Sequence, residues 1–75
     1  MRVTYDAVGD AAYVELAGPI AAGGVASQTH SLVAPGGGGE IALDFDADGR
    51  LVGLEVLNAS AVLPESVLAD AVRID

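Results

Sequence analysis

Between Glu40 and Leu57, apolar side chains fall on alternate residues on both sides of the polar stretch Asp46-Ala47-Asp48-Gly49. Alternation interrupted by an aspartate- and glycine-rich turn marks a β-hairpin, because successive strand side chains point to opposite faces. Pairing Phe45 with Arg50 sets Leu43 against Val52 and Ile41 against Leu54. Ile41, Leu43, Phe45, Val52, Leu54 and Val56 then share one core-facing surface, and a one-residue shift would mix the faces. This register implies a four-residue loop around a type I turn, closed by Gly49 at a positive φ. The outward face carries Glu40, Asp44 and Glu55, with Glu40 and Glu55 as direct neighbours.

The same reasoning places a first hairpin over residues 2–16, from Arg2–Asp6 and Ala11–Leu16 around Ala7-Val8-Gly9-Asp10. Tyr5 against Ala12 brings Val3 to Val14 and Met1 to Leu16 on one face, and Thr4 to Tyr13 and Arg2 to Glu15 on the other. The opposite charges of Arg2 and Glu15 help fix that register, since a slip by one residue would bury them. Residues 25–33 read as a middle strand with no plain core face, suited to a sheet edge. Residues 34–39, rich in glycine, read as a mobile loop. Beyond Asn58-Ala59-Ser60 the period becomes helical, with Pro64 at a first-turn position and Val67, Leu68, Ala71 and Val72 forming an apolar stripe. One helix over residues 64–73 is expected to pack on the sheet. The fold class is therefore α+β, a single small domain over residues 1–75 made of two β-hairpins, a middle edge strand and one C-terminal helix.

A chain of 75 residues holds one small core, and without cysteine it has neither disulfides nor thiolate chemistry to reinforce it. Oligomerisation is the remaining way to add burial, and a homo-oligomer is expected. Eleven carboxylates stand against three arginines and no lysine, a formal net charge of −8. Phosphate neutralisation needs clustered cations, so nucleic acid and anionic membrane surfaces are excluded as partners, and a basic protein is the natural one. No apolar run reaches the ~18 residues of a membrane span. The opening residues enter a strand pattern without an apolar signal core, so a cytoplasmic location is expected.

Asp44-x-Asp46-x-Asp48-Gly49-x5-Glu55 has the residue spacing of an EF-hand calcium loop. Its flanks have strand rather than helix periodicity, and in the register above Glu55 lies ~13 Å along the hairpin from Asp44, so one ion cannot be shared. The stretch reads as an aspartate-rich turn, with weak divalent-cation binding at Asp44, Asp46 and Asp48 as an alternative function. Glu40, Asp44 and Glu55 form a solvated acidic face; a carboxylate pair catalyses only where a pocket desolvates one member. His30, the only histidine, leaves a minimal carboxylate/His30 enzyme as a further alternative. Without lysine, the glycine tract after Pro35 cannot be a phosphate loop. Asn58-Ala59-Ser60 fits a glycosylation triplet but reads as the strand-to-helix junction. No catalytic, metal or cofactor residue is assigned, and no cofactor is expected.

Leu43-Asp44-Phe45-Asp46-Ala47-Asp48-Gly49-Arg50-Leu51-Val52-Gly53-Leu54-Glu55-Val56-Leu57-Asn58-Ala59-Ser60 resembles the C-terminal signature of a bacterial family known as domain-of-unknown-function family 2283. Val3-Thr4-Tyr5-Asp6 and Asp10-Ala11-Ala12-Tyr13-Val14-Glu15-Leu16 look like its opening strand, turn and second strand. The segment from Gly18 to Gly39 is longer and richer in glycine than that family's middle strand, and residues 61–75 lie outside its signature. The resemblance implies a small β-rich domain without an assigned activity. With the charge balance, the expected function is a non-enzymatic protein-interaction module that docks a basic partner through a face containing Tyr13, Asp44 and Glu55.

Overall fold

The computed structural model describes residues 1–75. In chain order it has β1 (Arg2–Asp6), β2 (Ala11–Glu15), β3 (Ser27–Val33), β4 (Glu40–Phe45), β5 (Leu51–Leu57), α1 (Ala59–Val62), α2 (Glu65–Asp70) and β6 (Val72–Arg73). The strands form one six-stranded sheet in the order β3-β4-β5-β2-β1-β6. All neighbours are antiparallel except β1 and β6. Strand β2 lies beside β5 rather than β3, so the long β2–β3 connection makes β2 to β5 a Greek key.

The first hairpin has the register its pattern predicts, with Arg2 opposite Glu15, Val3 opposite Val14, Thr4 opposite Tyr13 and Tyr5 opposite Ala12. Its turn is held from within: Asp6 Oδ1 accepts from the amides of Val8 at 3.0 Å and Gly9 at 3.2 Å. Short aspartate side chains favour this use because they reach backbone donors two or three residues ahead.

The second hairpin departs from the expected register by two residues. Leu43 faces Leu54 and Ile41 faces Val56, while Phe45 faces Leu51 across a bulge after Asp44. Asp46 is the physical reason. Its Oδ1 accepts from the amides of Asp48 and Arg50, both at 2.9 Å, and its own amide donates to the Arg50 carbonyl. Arg50 is thereby drawn into the turn, which spans residues 46–50 and not four residues. A shift of two keeps Ile41, Leu43, Leu54 and Val56 on the core face, since the side-chain period is two.

β3 is ordered and lies at the sheet edge, as its pattern suggests, with a bulge between Thr29 and Leu32. The segment expected as a mobile loop closes the β3–β4 hairpin, where the Ala34 amide donates to Gly39 O and the Gly37 amide to Ala34 O. The single helix expected over residues 64–73 is also corrected. Two short helices, α1 and α2, flank Leu63-Pro64, and the chain then extends as β6 beside β1, pairing Val72 with Thr4 and Arg73 with Tyr5. Pro64 has no amide to continue α1, so it ends one helix and begins the next.

The helices pack on the sheet face that carries Tyr5, Ala12 and Val56. Together with Ala59 these residues form the core, and Val62, Leu63, Leu68 and Ala71 lie against it. Val72, expected in the helical stripe, is exposed instead. Four of the six buried hydrophobic residues are alanines, Ala12, Ala34, Ala42 and Ala59, and no large side chain is completely covered. The accessible surface of 4666 Å² exceeds the ~4,200 Å² usual for this mass.

Candidate functional site

The sheet face opposite the helices is built by cross-strand rows. One row runs Arg2, Glu15, Gly53, Asp44, Gln28; the next runs Thr4, Tyr13, Glu55, Ala42; a third ends in Leu57, Glu40, Val33. Alternation in β1, β2, β4 and β5 thus sends Asp6, Glu15, Glu40, Asp44 and Glu55 to one side, with Arg2 as the cation among them. Arg2 approaches Glu15 at 3.6 Å; the arginine is exposed and the glutamate largely covered.

Asp44 was expected as an outward, solvated carboxylate. The structure corrects this: it is 6% exposed and is the buried acidic residue of the domain. It stays buried because both its oxygens are satisfied. Tyr13 Oη donates to Oδ2 at 2.6 Å, and Gln28 Nε2 donates to Oδ1 at 2.7 Å. Hydrogen bonds to a charged acceptor offset the desolvation that burial imposes. The tyrosine reaches across β5 because the residue beneath it is Gly53, where any Cβ would overlap the Tyr13 ring and hydroxyl. Burial pushes the Tyr13 phenol upward from its ordinary value, and the hydrogen bond to Asp44 and the nearby carboxylates of Glu15 and Glu55 add to the shift.

Tyr13, Asp44 and Glu55 are thus brought together, Tyr13 being the register partner of Glu55 and the donor to Asp44. Their roles differ from the expectation. Asp44 is an internal acceptor, and Glu55 is the exposed charge. Glu40 faces Leu57, not Glu55, yet Glu40 and Glu55 line the same open groove of about 330 Å³ together with Gln28, His30, Ser31 and Leu57. Two consecutive β3 residues, His30 and Ser31, reach it because the bulge breaks the alternation there, with Ser31 at φ 63°. His30 Nδ1 lies 3.2 Å from Ser31 Oγ. No signal in the sequence marked this gathering, because the bulge has no distinctive residue.

The aspartates of the calcium-like spacing are separated by use. Asp44 is sealed against Tyr13 and Gln28, and Asp46 holds its own turn. No three His, Cys, Asp or Glu side chains converge in a way that would hold a metal ion.

A second polar cluster went unread in the sequence. Asp10 accepts from Tyr5 Oη at 2.7 Å, from the Ser60 amide at 3.0 Å and from Ser60 Oγ at 2.6 Å. Its carbonyl also accepts from the Ala59 amide at 2.9 Å. The turn of the first hairpin thereby supplies the cap of α1, a helix whose own N-terminal residue, Asn58, makes no side-chain cap. The Ser60 hydroxyl, then the Tyr5 hydroxyl and the Ser60 amide, hold the Asp10 carboxyl below its usual range. The sequence offered Asp10 only as a turn residue. Asn58-Ala59-Ser60 is the strand-to-helix junction, as read.

These observations define a small α+β domain with helices on one sheet face and an acidic surface, bearing an open groove, on the other. A family model described as "Protein of unknown function (DUF2283)" matches residues 2–60, and the chain belongs to that family. The match takes in β1 to β5, and therefore the whole acidic face, and ends within α1; α2 and β6 lie beyond it. No curated protein and no solved structure matches the chain. No helix is long and apolar enough to cross a membrane.

Proposed function

We propose that the domain is a non-enzymatic protein-interaction module whose acidic sheet face docks a basic partner. The observation that carries this reading is the groove in which exposed Glu40 and Glu55 stand together with no arginine or lysine among the lining residues. A guanidinium from a partner would meet two carboxylates there, and the Gln28 and Ser31 side chains offer further polar contacts. The remaining charge of the face, with a formal net charge of −8 for the chain, would steer a cationic protein toward it.

Binding is favoured over catalysis by the openness of the same groove. Glu40, Glu55, His30 and Ser31 are all exposed, so water solvates each, and the environment that raises a catalytic carboxyl or activates a serine is lacking. His30 contacts its neighbour Ser31 and has no carboxylate partner to orient it.

A short oligoarginine peptide added to the isotopically labelled protein tests the reading. Amide shifts are expected to concentrate at Gln28, His30, Glu40 and Glu55 and to vanish in E40Q/E55Q, a variant that changes only exposed groups. Shifts spread equally over Glu65, Asp70 and the Asp46–Asp48 turn, or unchanged in the variant, would overturn it.

A further inference from the structure

Along β4 the acidic face is the better covered one. Ala42 and Asp44 are buried there, whereas Ile41, Leu43 and Phe45, on the helix side of the same strand, are half-buried. Val14 of β2 and Leu54 of β5, in the row of Leu43, are half-buried as well, and Leu32 of β3, opposite Ile41, is 40% exposed. The placement of the helices accounts for this. α2 packs against β1, and Val62 of α1 lies against Gly39 at the start of β4. The core they close is Tyr5, Ala12, Val56 and Ala59, at the other side of the sheet from β3. The remaining apolar side chains belong to two cross-strand rows, Val3, Val14, Leu54, Leu43, Thr29 and Tyr5, Ala12, Val56, Ile41, Leu32, and neither row contains a charged residue.

We propose that this patch packs on the same patch of a second copy, sheet face against sheet face, as two-fold-related halves of one larger core. Burial argues for a copy as the occupant. The single chain encloses a core of four residues and has no disulfide to compensate. A small chain with so little core gains stability by association. A partner that completes the core must be present whenever the chain folds, and another copy always is.

Charge argues the same way. Asp6, Glu15, Glu40 and Glu55 stand on the opposite face of the sheet, so stacking at the patch turns them outward in both copies. Packed sheets lie ~10 Å apart. The outward carboxylates of the two copies are farther apart than the sheets, beyond the ~8 Å screening length at physiological ionic strength. Contact through the acidic faces would instead oppose like charges, and a basic protein finds no carboxylate to meet in the two apolar rows. The inference does not depend on the acidic groove being a docking site, and the two respond oppositely to salt: added salt strengthens contact between like-charged copies and weakens oligoarginine binding.

Sedimentation equilibrium of the full chain from low micromolar to millimolar concentration, with isotope-filtered NOE spectra of a mixed labelled and unlabelled sample, tests the proposal. The expected result is a dimer whose melting temperature rises with concentration and whose intermolecular contacts join the methyl groups of Val14, Leu43 and Leu54. L32E places a carboxylate at the exposed margin of the patch and is expected to weaken self-association by about tenfold or more. V8E adds the same charge at an exposed position on the turn of the first hairpin and is expected to dimerise like the native chain. The intermolecular contacts of the native chain decide the matter if L32E does not fold. A monomer at millimolar concentration would overturn the proposal and leave the patch to a different protein. A dimer whose intermolecular contacts fall outside the patch, or a folded L32E variant that dimerises like the native chain, would overturn it too.

Discussion

The Tyr13 hydroxyl donates to Asp44 Oδ2 at 2.6 Å, which ties β2 to β4 across the intervening β5. This bond requires the bare backbone of Gly53 beneath the ring. Sheet interior and acidic face are therefore coupled through three residues on three strands.

Gly53→Ala is expected to displace the Tyr13 ring and to cost about 1–3 kcal/mol, the range for forcing extra volume into a packed site. Tyr13→Phe, which removes one donor from buried Asp44, is expected to cost about 1–3 kcal/mol. Urea unfolding of both single variants and of the double variant measures this. Because both act on one contact, the double variant should lose less than the sum of the singles.

Both tyrosines hold their protons more tightly in the folded chain than at the ordinary value of 10.0, Tyr5 chiefly through its hydrogen bond to Asp10 and Tyr13 chiefly through burial. The unfolded chain releases these protons first as pH rises, so it binds fewer protons than the folded chain. Stability is then fully present below about pH 10 and falls above it. Tyrosinate absorbance followed together with circular dichroism should show ionisation and unfolding in one alkaline transition, and Tyr13→Phe should make the fall shallower.

The lowered Asp10 carboxyl has the opposite dependence. Its contribution is present above the unfolded value of 3.8 and is lost as pH falls through the lower folded value. A carbon-detected titration should place Asp10 below 3.8, and Ser60→Ala, which removes the hydroxyl donor, should raise it. In Asp10→Asn, exchange at the Ser60 amide should quicken as α1 loses its cap.

Gly49 has φ 79°, a left-handed conformation that an L side chain resists. Gly49→Ala is expected to cost about 1–2 kcal/mol in thermal or urea unfolding. Asp46→Ala, which frees the amides of Asp48 and Arg50, should loosen the same turn, visible as faster exchange at those two amides.

The first hairpin was fully legible because Arg2, Glu15, Tyr5 and Ala12 accept one register. The second was legible only to within two residues. Ile41, Leu43, Leu54 and Val56 look alike under a two-residue slip, and the decision lay with Asp46, whose side chain draws Arg50 into the turn. Alternation placed Asp44 correctly on the face of Tyr13 and Glu55 but said nothing of depth. Its burial depends on Tyr13 and Gln28, which lie 31 and 16 residues away in sequence. Pro64 marked a helix start, yet the stripe of Leu68, Ala71 and Val72 did not show that Val72 would leave the helix to pair with Thr4. The α1 cap was hidden for the same reason, since Asp10 and Ser60 are 50 residues apart.

The account turns on the carboxylates of the groove acting as a receptor for positive charge. Calorimetric titration of oligoarginine into the native chain and into E40Q/E55Q, each at low and at high salt, examines this most directly. The account predicts saturable binding by the native chain that weakens with salt and is absent in the variant. Equal binding by both proteins, or none by the native chain at low salt, would contradict it.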